Sequence, residues 1–214
     1  MHCSYFILHI SIKHLTMSLN RYELENIIPK YVTNKDVLDV GCLCHDLRQF
    51  EANGLHKVIK KHARSLKGID IEPEAYKLKK LGYDVVVMDF FKYHTSKRFD
   101  IIVAGEFIEH ISNFEAFCIQ CHRLLKDNGK VFVTTPNPYY WYKNLDILIR
   151  GEPRVFEHHT TYFCPKTLKL AFEKNGFKVI DWGFLNEAKP MSIGYIPIRI
   201  RKWWSSNFWM LVKC

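Results

Sequence analysis

FDIIVAGEFIEHISNFEAFCIQCHRLLKDNGKVFVTTPNP, residues 99–138, reads as a strand, a helix and a second strand in succession. The run 99–104 is almost wholly apolar, as expected of a strand covered on both faces. Phe114, Phe117, Cys118, Cys121, Leu124 and Leu125 then recur at helical spacing and form one apolar stripe. Asn128-Gly129 supplies residues able to take positive φ where the helix must stop, and 130–135 is another apolar run. Such a unit makes a right-handed crossover between parallel strands.

The same alternation extends outward in both directions. Further strands are expected at 36–40, 65–71, 84–88, 177–182 and 208–213. Leu55, Val58, Ile59, His62 and Ala63 form a second helical stripe, which predicts a packed His62 and an exposed His56. The fold class is therefore α/β, a Rossmann-like doubly wound and mostly parallel sheet. No repeat, low-complexity run or linker interrupts the chain, so 34–214 is expected to be a single domain, preceded by an N-terminal extension and helix at 1–33.

Composition agrees with a globular domain. The 214 residues are 48% hydrophobic and 25% charged, which excludes wholesale disorder and allows a substantial core. A net charge of +9, from 31 Lys plus Arg against 22 Asp plus Glu, favours anionic partners weakly, because the excess is scattered. The segment after Glu187, with five basic residues and no acid, is the candidate patch.

The seven cysteines do not form a small secreted scaffold, and a domain of this size needs no staples, so reduced thiols in the cytoplasm are expected. Cys118-x-x-Cys121-His122 lacks the second pair that structural zinc requires, and both cysteines lie on the buried stripe. The leader MHCSYFILHISIKHL has neither an unbroken apolar run nor a cleavage site. No stretch reaches the roughly 18 apolar residues of a membrane span. Met17 stands as an alternative start to Met1.

In open α/β sheets ligands bind beyond the carboxyl ends of the strands. The residues that matter are then Gly41-Cys42, Asp70, Asp89, Gly105-Glu106 and Pro136-Asn137, one group after each of the first five strands. VLDVGC, 37–42, ends a hydrophobic strand in an acid and a glycine, which lets the turn approach a ligand. GIDIEPE, 68–74, presents Asp70, whose carboxylate can accept both hydroxyls of a ribose, and Asp89 is placed to reach an adenine amino group. No G-x-G-x-x-G and no Walker loop is present. Tyr139 and Lys143 share the Y-x-x-x-K spacing of short-chain dehydrogenases, but with no dinucleotide loop the spacing reads as coincidence.

These motifs resemble those of the class I S-adenosylmethionine-dependent methyltransferases over 34–182. Residues 99–138 look like the small-molecule and glycan O-methyltransferases and those of ubiquinone biosynthesis. The resemblance implies seven strands with the last antiparallel. It also implies S-adenosylmethionine bound by Asp39, Gly41, Cys42, Asp70, Ile71, Asp89, Phe90 and Glu106. The first loop departs from the family: Leu43 and His45 replace the second and third glycines. They must either turn away from the cofactor or narrow its methionine end.

Sugar and ribose hydroxyls are poor acids, so their methylation is helped by a base or a metal. Glu106-x-x-Glu109-His110 places two acids on one side of a helical turn with a histidine beside them, and His158-His159 follows downstream. The E-x-x-E-H motif is similar to that of the ubiquinone-pathway enzymes and of the small-RNA terminal 2′-O-methyltransferases. Carried over, it implies Mg2+ held by Glu106, Glu109, His110 and His159. The alternatives are His159, or its neighbour His158, as a metal-free base beside Glu106, or a purely structural Glu109 and His110.

NPYYWYKN, 137–144, either walls an acceptor pocket with rings or docks them on the sheet. The tail IPIRIRKWWSSNFWMLVKC, 196–214, mixes cations with tryptophans. That suits peripheral contact with an anionic membrane or, less well, RNA. The expected function is O-methylation of a small-molecule acceptor, with a sugar of a glycan precursor preferred. An RNA ribose 2′-O-methyltransferase and a non-catalytic binding protein are the rivals.

Overall fold

The computed structural model describes residues 24–43, 46–153, 155–185 and 203–214. A short helix α1 (Pro29–Val32) leads into β1 (Asp36–Val40). Helices α2 (Leu47–Asn53) and α3 (Leu55–His62) follow, then β2 (Ser65–Asp70), α4 (Tyr76–Lys80) and β3 (Val85–Val87). The second half comprises β4 (Phe99–Gly105), α5 (Phe114–Leu124), β5 (Leu125–Pro136), α6 (Trp141–Arg150), α7 (Pro165–Lys174), β6 (Lys178–Leu185) and β7 (Asn207–Lys213).

The seven strands form one sheet in the order β3-β2-β1-β4-β5-β7-β6. The neighbours from β3 to β5 run parallel, and β7 pairs antiparallel with both β5 and β6. All seven expected strands are present with ends shifted by a few residues, and this is the Rossmann-like arrangement expected.

Both faces of the central strands are covered, which explains their continuous apolar runs. Leu38, Val40, Ile102, Ala104, Val131 and Val133 face α5 and α7, packing on Phe117, Cys121, Leu124 and Phe172. The alternate residues Val37, Ile101, Val103 and Phe132 face the other way, against Ile28, Val32, Val58 and Ile59. Cys118 and Cys121 are buried in the first of these layers, as core packing required. Asn128 (φ 60°), in the irregular first part of β5, and Gly176 (φ 83°), between α7 and β6, take the left-handed conformation.

One expectation about a helix face fails. His56 is buried at 1% exposure, not exposed, and His62 is only half-buried. His56 lies off the apolar stripe, but its Nδ1 meets the Asp39 Oδ2 carboxylate oxygen of β1 at 2.8 Å. A buried acid supplied the partner that draws a polar side chain inward.

Candidate functional site

The crossing from β1 to β4 is where the strand order reverses, so the crevice of interest opens above the tips of β1, β2, β4 and β5. At the β1 tip Gly41 has φ 75°, a conformation open to glycine at no steric cost. Leu43 then turns away from the crevice. It is fully buried in a small cluster with Cys42, Phe50, Ala75, Leu78 and Val85. Of the two outcomes for the altered loop, the structure therefore shows the one that leaves the crevice free at position 43; His45 lies outside the described residues.

Asp70 ends β2 with its carboxylate tied into that loop. Its Oδ2 accepts from the Leu43 N–H at 2.8 Å and its Oδ1 from the Glu72 N–H at 3.0 Å. An ionised carboxylate offers about four acceptor positions, so both oxygens keep capacity for hydroxyl donors. Ile71, next in sequence, is 66% exposed although apolar, and Met88 at the β3 tip is 39% exposed. Asp89 accepts from the Phe91 N–H at 2.9 Å and starts a 3₁₀ turn.

Three of the residues expected around a cofactor are placed differently from the rest. Asp39 is buried against His56. Cys42 is 3% exposed, with its N–H bonded to the Ile69 carbonyl. The Phe90 ring is in the main core beside Phe107 and Phe117. Their side chains support the crevice from behind, because residues flanking a turn alternate between the ligand and the core.

On the other side of the crevice the chain leaves β4 through Glu106, a non-glycine residue at φ 50°. Strain of this kind concentrates at functional sites. The Glu106 N–H donates to both the carbonyl and the Oγ1 of Thr134 (3.1 Å each), and the Thr134 hydroxyl donates back to Glu106 Oε1 at 3.0 Å. A 3₁₀ turn, Ile108–His110, follows. It buries Glu109 at 1% exposure, where Oε2 accepts from Thr135 Oγ1 at 3.0 Å and Oε1 has no hydrogen-bond donor.

The segment after α6 is fastened over this turn. The Glu109 carbonyl accepts from the N–H groups of Thr160 (2.8 Å) and Thr161 (3.2 Å). His110 Nδ1 meets the His158 carbonyl oxygen at 3.2 Å, a bond that fixes the ring and directs its other nitrogen elsewhere. The His158 side chain is exposed, whereas the His159 ring stands edge-on to His110 with centroids 4.7 Å apart. The two adjacent histidines are thereby separated: His159 belongs to the site through its ring, His158 through its carbonyl.

Glu109, His110 and His159 each present a ligand atom, all within 4.8 Å of one another. Among the described residues no other group of three or more such side chains meets this spacing. Three of the four expected metal ligands are thus brought together, while Glu106 stands beside them on Thr134. Burial, followed by the charge of Glu106, pushes the Glu109 carboxyl up to about 9. Glu106 opens to the crevice, but protein rings its carboxyl and raises it through lost hydration, eased by hydrogen bonds from Asn207 and Thr134 and by the Lys143 charge. Burial in turn pushes Lys143 down, against the pull of the two acids, and its Nζ sits 5.1 Å from the Tyr162 ring centroid. A buried acid with a bare oxygen between two imidazoles is a donor set that fits a divalent cation.

Thr134, Thr135, Lys143 and Asn207 were not expected in the site. The Thr-Thr pair ending the apolar run KVFVTT, 130–135, was a signal, since hydroxyls at a strand tip are the cheapest polar groups to aim into a crevice. Lys143 and Asn207 reach Glu106 only through tertiary structure. The aromatic stretch 137–144 divides: Tyr140 docks on the protein at 8% exposure, while Tyr139 and Trp141 remain 38% and 39% exposed.

The "Methyltransferase domain" family matches residues 15–181. A human protein named ubiquinone biosynthesis O-methyltransferase, mitochondrial, is 28% identical over 187 residues, covering 79% of this chain and 50% of its own length. Among solved structures, a SAM dependent methyltransferase from Archaeoglobus fulgidus superposes with a TM-score of 0.67 at 20% identity, covering 98% of this chain and 99% of its own. The magnesium protoporphyrin IX methyltransferase from Synechocystis PCC 6803, solved with bound SAH, superposes at 0.60 with 12% identity, over 92% of this chain and 84% of its own. The chain belongs to the methyltransferase-domain family, class I of the S-adenosylmethionine-dependent methyltransferases. It spans about half the length of curated relatives such as the human protein. No helix among the described residues is long and apolar enough to cross a membrane.

Proposed function

We propose that the chain moves the methyl group of S-adenosylmethionine to a hydroxyl of a small acceptor that carries a second oxygen beside it. The observation that carries this reading is the Glu109–His110–His159 cluster, placed next to Glu106 at the β4 tip. Sulfur and amine acceptors need little help with a proton. A cluster of acids and imidazoles suits a hydroxyl, whose proton must leave. When bound, S-adenosylmethionine supplies a methyl on a sulfonium, already a good leaving group. A divalent cation on the three ligands, such as Mg2+, supplies acidity to a coordinated hydroxyl.

The chain's own residues do the rest. Asp70 takes the ribose hydroxyls, and Ile71 and Met88 flank the adenine, while Asp89 reaches its amino group. Glu109 compensates positive charge on the acceptor side, and Glu106, outside the three ligands and raised by burial, stands ready to hold the departing proton. Lys143 keeps the two acids from repelling each other outright. The segment bonded to the Glu109 carbonyl restricts water.

For the acceptor, a phenolic ring with adjacent oxygens is favoured over the sugar of a glycan precursor. The neighbouring Tyr139, Trp141, Phe156 and Tyr162 are all exposed rings, which suit a flat apolar partner, and the human relative is named for ubiquinone biosynthesis. A panel of catechols, nucleotide sugars and short RNAs with radiolabelled S-adenosylmethionine tests this. Methylation of catechols at the highest rate is expected; methylation of none of the three classes would refute the function.

The apolar face of α6 supports peripheral contact with an anionic membrane more directly than the tail does. Leu145, Leu148 and Ile149 are 41%, 83% and 74% exposed, beside Trp141 and Trp204. The tail's cations at 199–202 lie outside the described residues. Flotation with phosphatidylglycerol vesicles is expected to carry the protein and to lose the Leu148→Asp variant; equal flotation of both would contradict this placement.

A further inference from the structure

Beneath the cofactor loop lies a buried assembly to which the methyl-transfer reading assigns nothing. His56 of α3 is 1% exposed, with its Nδ1 on the Asp39 carboxylate at 2.8 Å and its Nε2 buried without a hydrogen-bond partner. A histidine buried with a bare nitrogen costs stability, so the fold keeps it at a cost. The ring is packed between Phe50 and Tyr83, at centroid distances of 6.3 and 5.5 Å. It also presses on β2. A Cβ on Gly68 would stand 2.9 Å from His56 Cε1 and 2.8 Å from Cys42 Sγ.

His56 therefore meets the strand that leads into the cofactor loop through Asp39, two residues before Gly41, and lies with Cys42 Sγ against the same bare face of Gly68. A second carboxylate, Asp70, lies close enough for its charge to act on Asp39, and it is Asp70 that holds the Leu43 N–H. Two acids so placed repel, and the His56 bond to Asp39 opposes that repulsion from behind. Leu43 is fixed in its apolar cluster with Phe50, Ala75 and Leu78, so the turn has little freedom of its own with which to adjust.

We propose that His56 is a positioning residue for cofactor binding: its single hydrogen bond to Asp39 holds the 41–43 turn in the shape that leaves Asp70 free to take the ribose. This rests on the S-adenosylmethionine reading but goes beyond it, since His56 does not touch the cofactor.

The test is calorimetry with S-adenosylhomocysteine on the wild type, His56→Ala, His56→Asn and Asp39→Ala, with thermal melts on each. Asparagine can place its Nδ2–H where the imidazole Nδ1–H stands, so it keeps the bond and loses most of the ring. Expected are a Kd at least tenfold weaker for His56→Ala and for Asp39→Ala, which removes the acceptor of the bond, and recovery to within about threefold of wild type for His56→Asn. A folded His56→Ala that binds as tightly as wild type overturns the proposal. So does a His56→Asn as weak as His56→Ala, because packing and not the bond would then be responsible. Should the wild type itself fail to bind, the cofactor reading falls instead, which keeps the two failures apart. If His56→Ala does not fold, the His56→Asn and Asp39→Ala pair still decides, the first near wild type and the second weak.

Discussion

Replacing His159 by alanine is expected to lower the methyl-transfer rate by about 10²–10⁴-fold, the span that help with the acceptor's proton contributes, with S-adenosylhomocysteine affinity unchanged. The ring of His159 completes the cluster with Glu109 and His110, on the side of the crevice away from Asp70 and Ile71. Losing it removes one of three ligand atoms and leaves the buried Glu109 Oε1, already without a donor, facing an emptier site. Chelation of the wild type is expected to produce a loss of similar size, restored by Mg2+ or Mn2+. His159→Ala and chelation should not add, because both act on one assembly. His158→Ala is the control: its side chain is exposed and only its carbonyl is used, so near-normal rates are expected. A fully active chelated enzyme would leave His159 as a base acting alone, and a fully active His159→Ala would remove the cluster from the chemistry.

The second large effect is expected at Asp70. Asp70→Ala deletes the acceptor for two ribose hydroxyls and, at the same time, for the N–H groups of Leu43 and Glu72. Hydrogen bonds to a charged group contribute about 1.5–3 kcal/mol each. Losing two to the ligand corresponds to at least a 10²-fold rise in Kd, with further loss from the loosened loop. Asp89→Ala should cost much less, since a single adenine amino bond is involved and its carboxylate holds one local N–H, that of Phe91, where Asp70 holds two. Calorimetry with S-adenosylhomocysteine ranks the two variants; equal and small losses would mean that the ribose lies elsewhere.

The strands were legible because two-sided burial leaves long apolar runs, and their tips followed from the runs. Gly41, Asp70 and Asp89 could be placed on one edge of the sheet for that reason alone. His56 was not legible: helical periodicity sorts residues by apolarity, while its partner Asp39 stands 17 residues away on β1. Leu43 admitted two outcomes in sequence, and the choice was made by Phe50, Ala75 and Leu78, which leave an apolar gap that a leucine fills. The cluster at the β4 tip was half legible. E-x-x-E-H gave Glu109 and His110, but the separation of His159 from His158 depends on Thr160 and Thr161 pinning the segment to the Glu109 carbonyl. Lys143, set aside as a chance spacing from Tyr139, proves to be coupled through its charge to the paired acids. No local pattern announces a lysine whose role is set by a strand it never follows.

Crystals grown with S-adenosylhomocysteine and Mn2+, with anomalous scattering recorded above the manganese edge, confront both halves of the site at once. One strong peak among Glu109, His110 and His159 is expected, with the ribose of the ligand on Asp70 and its sulfur directed toward Glu106. A fully occupied ligand with no manganese at that cluster, or manganese there with the ligand outside the strand tips, would contradict that expectation.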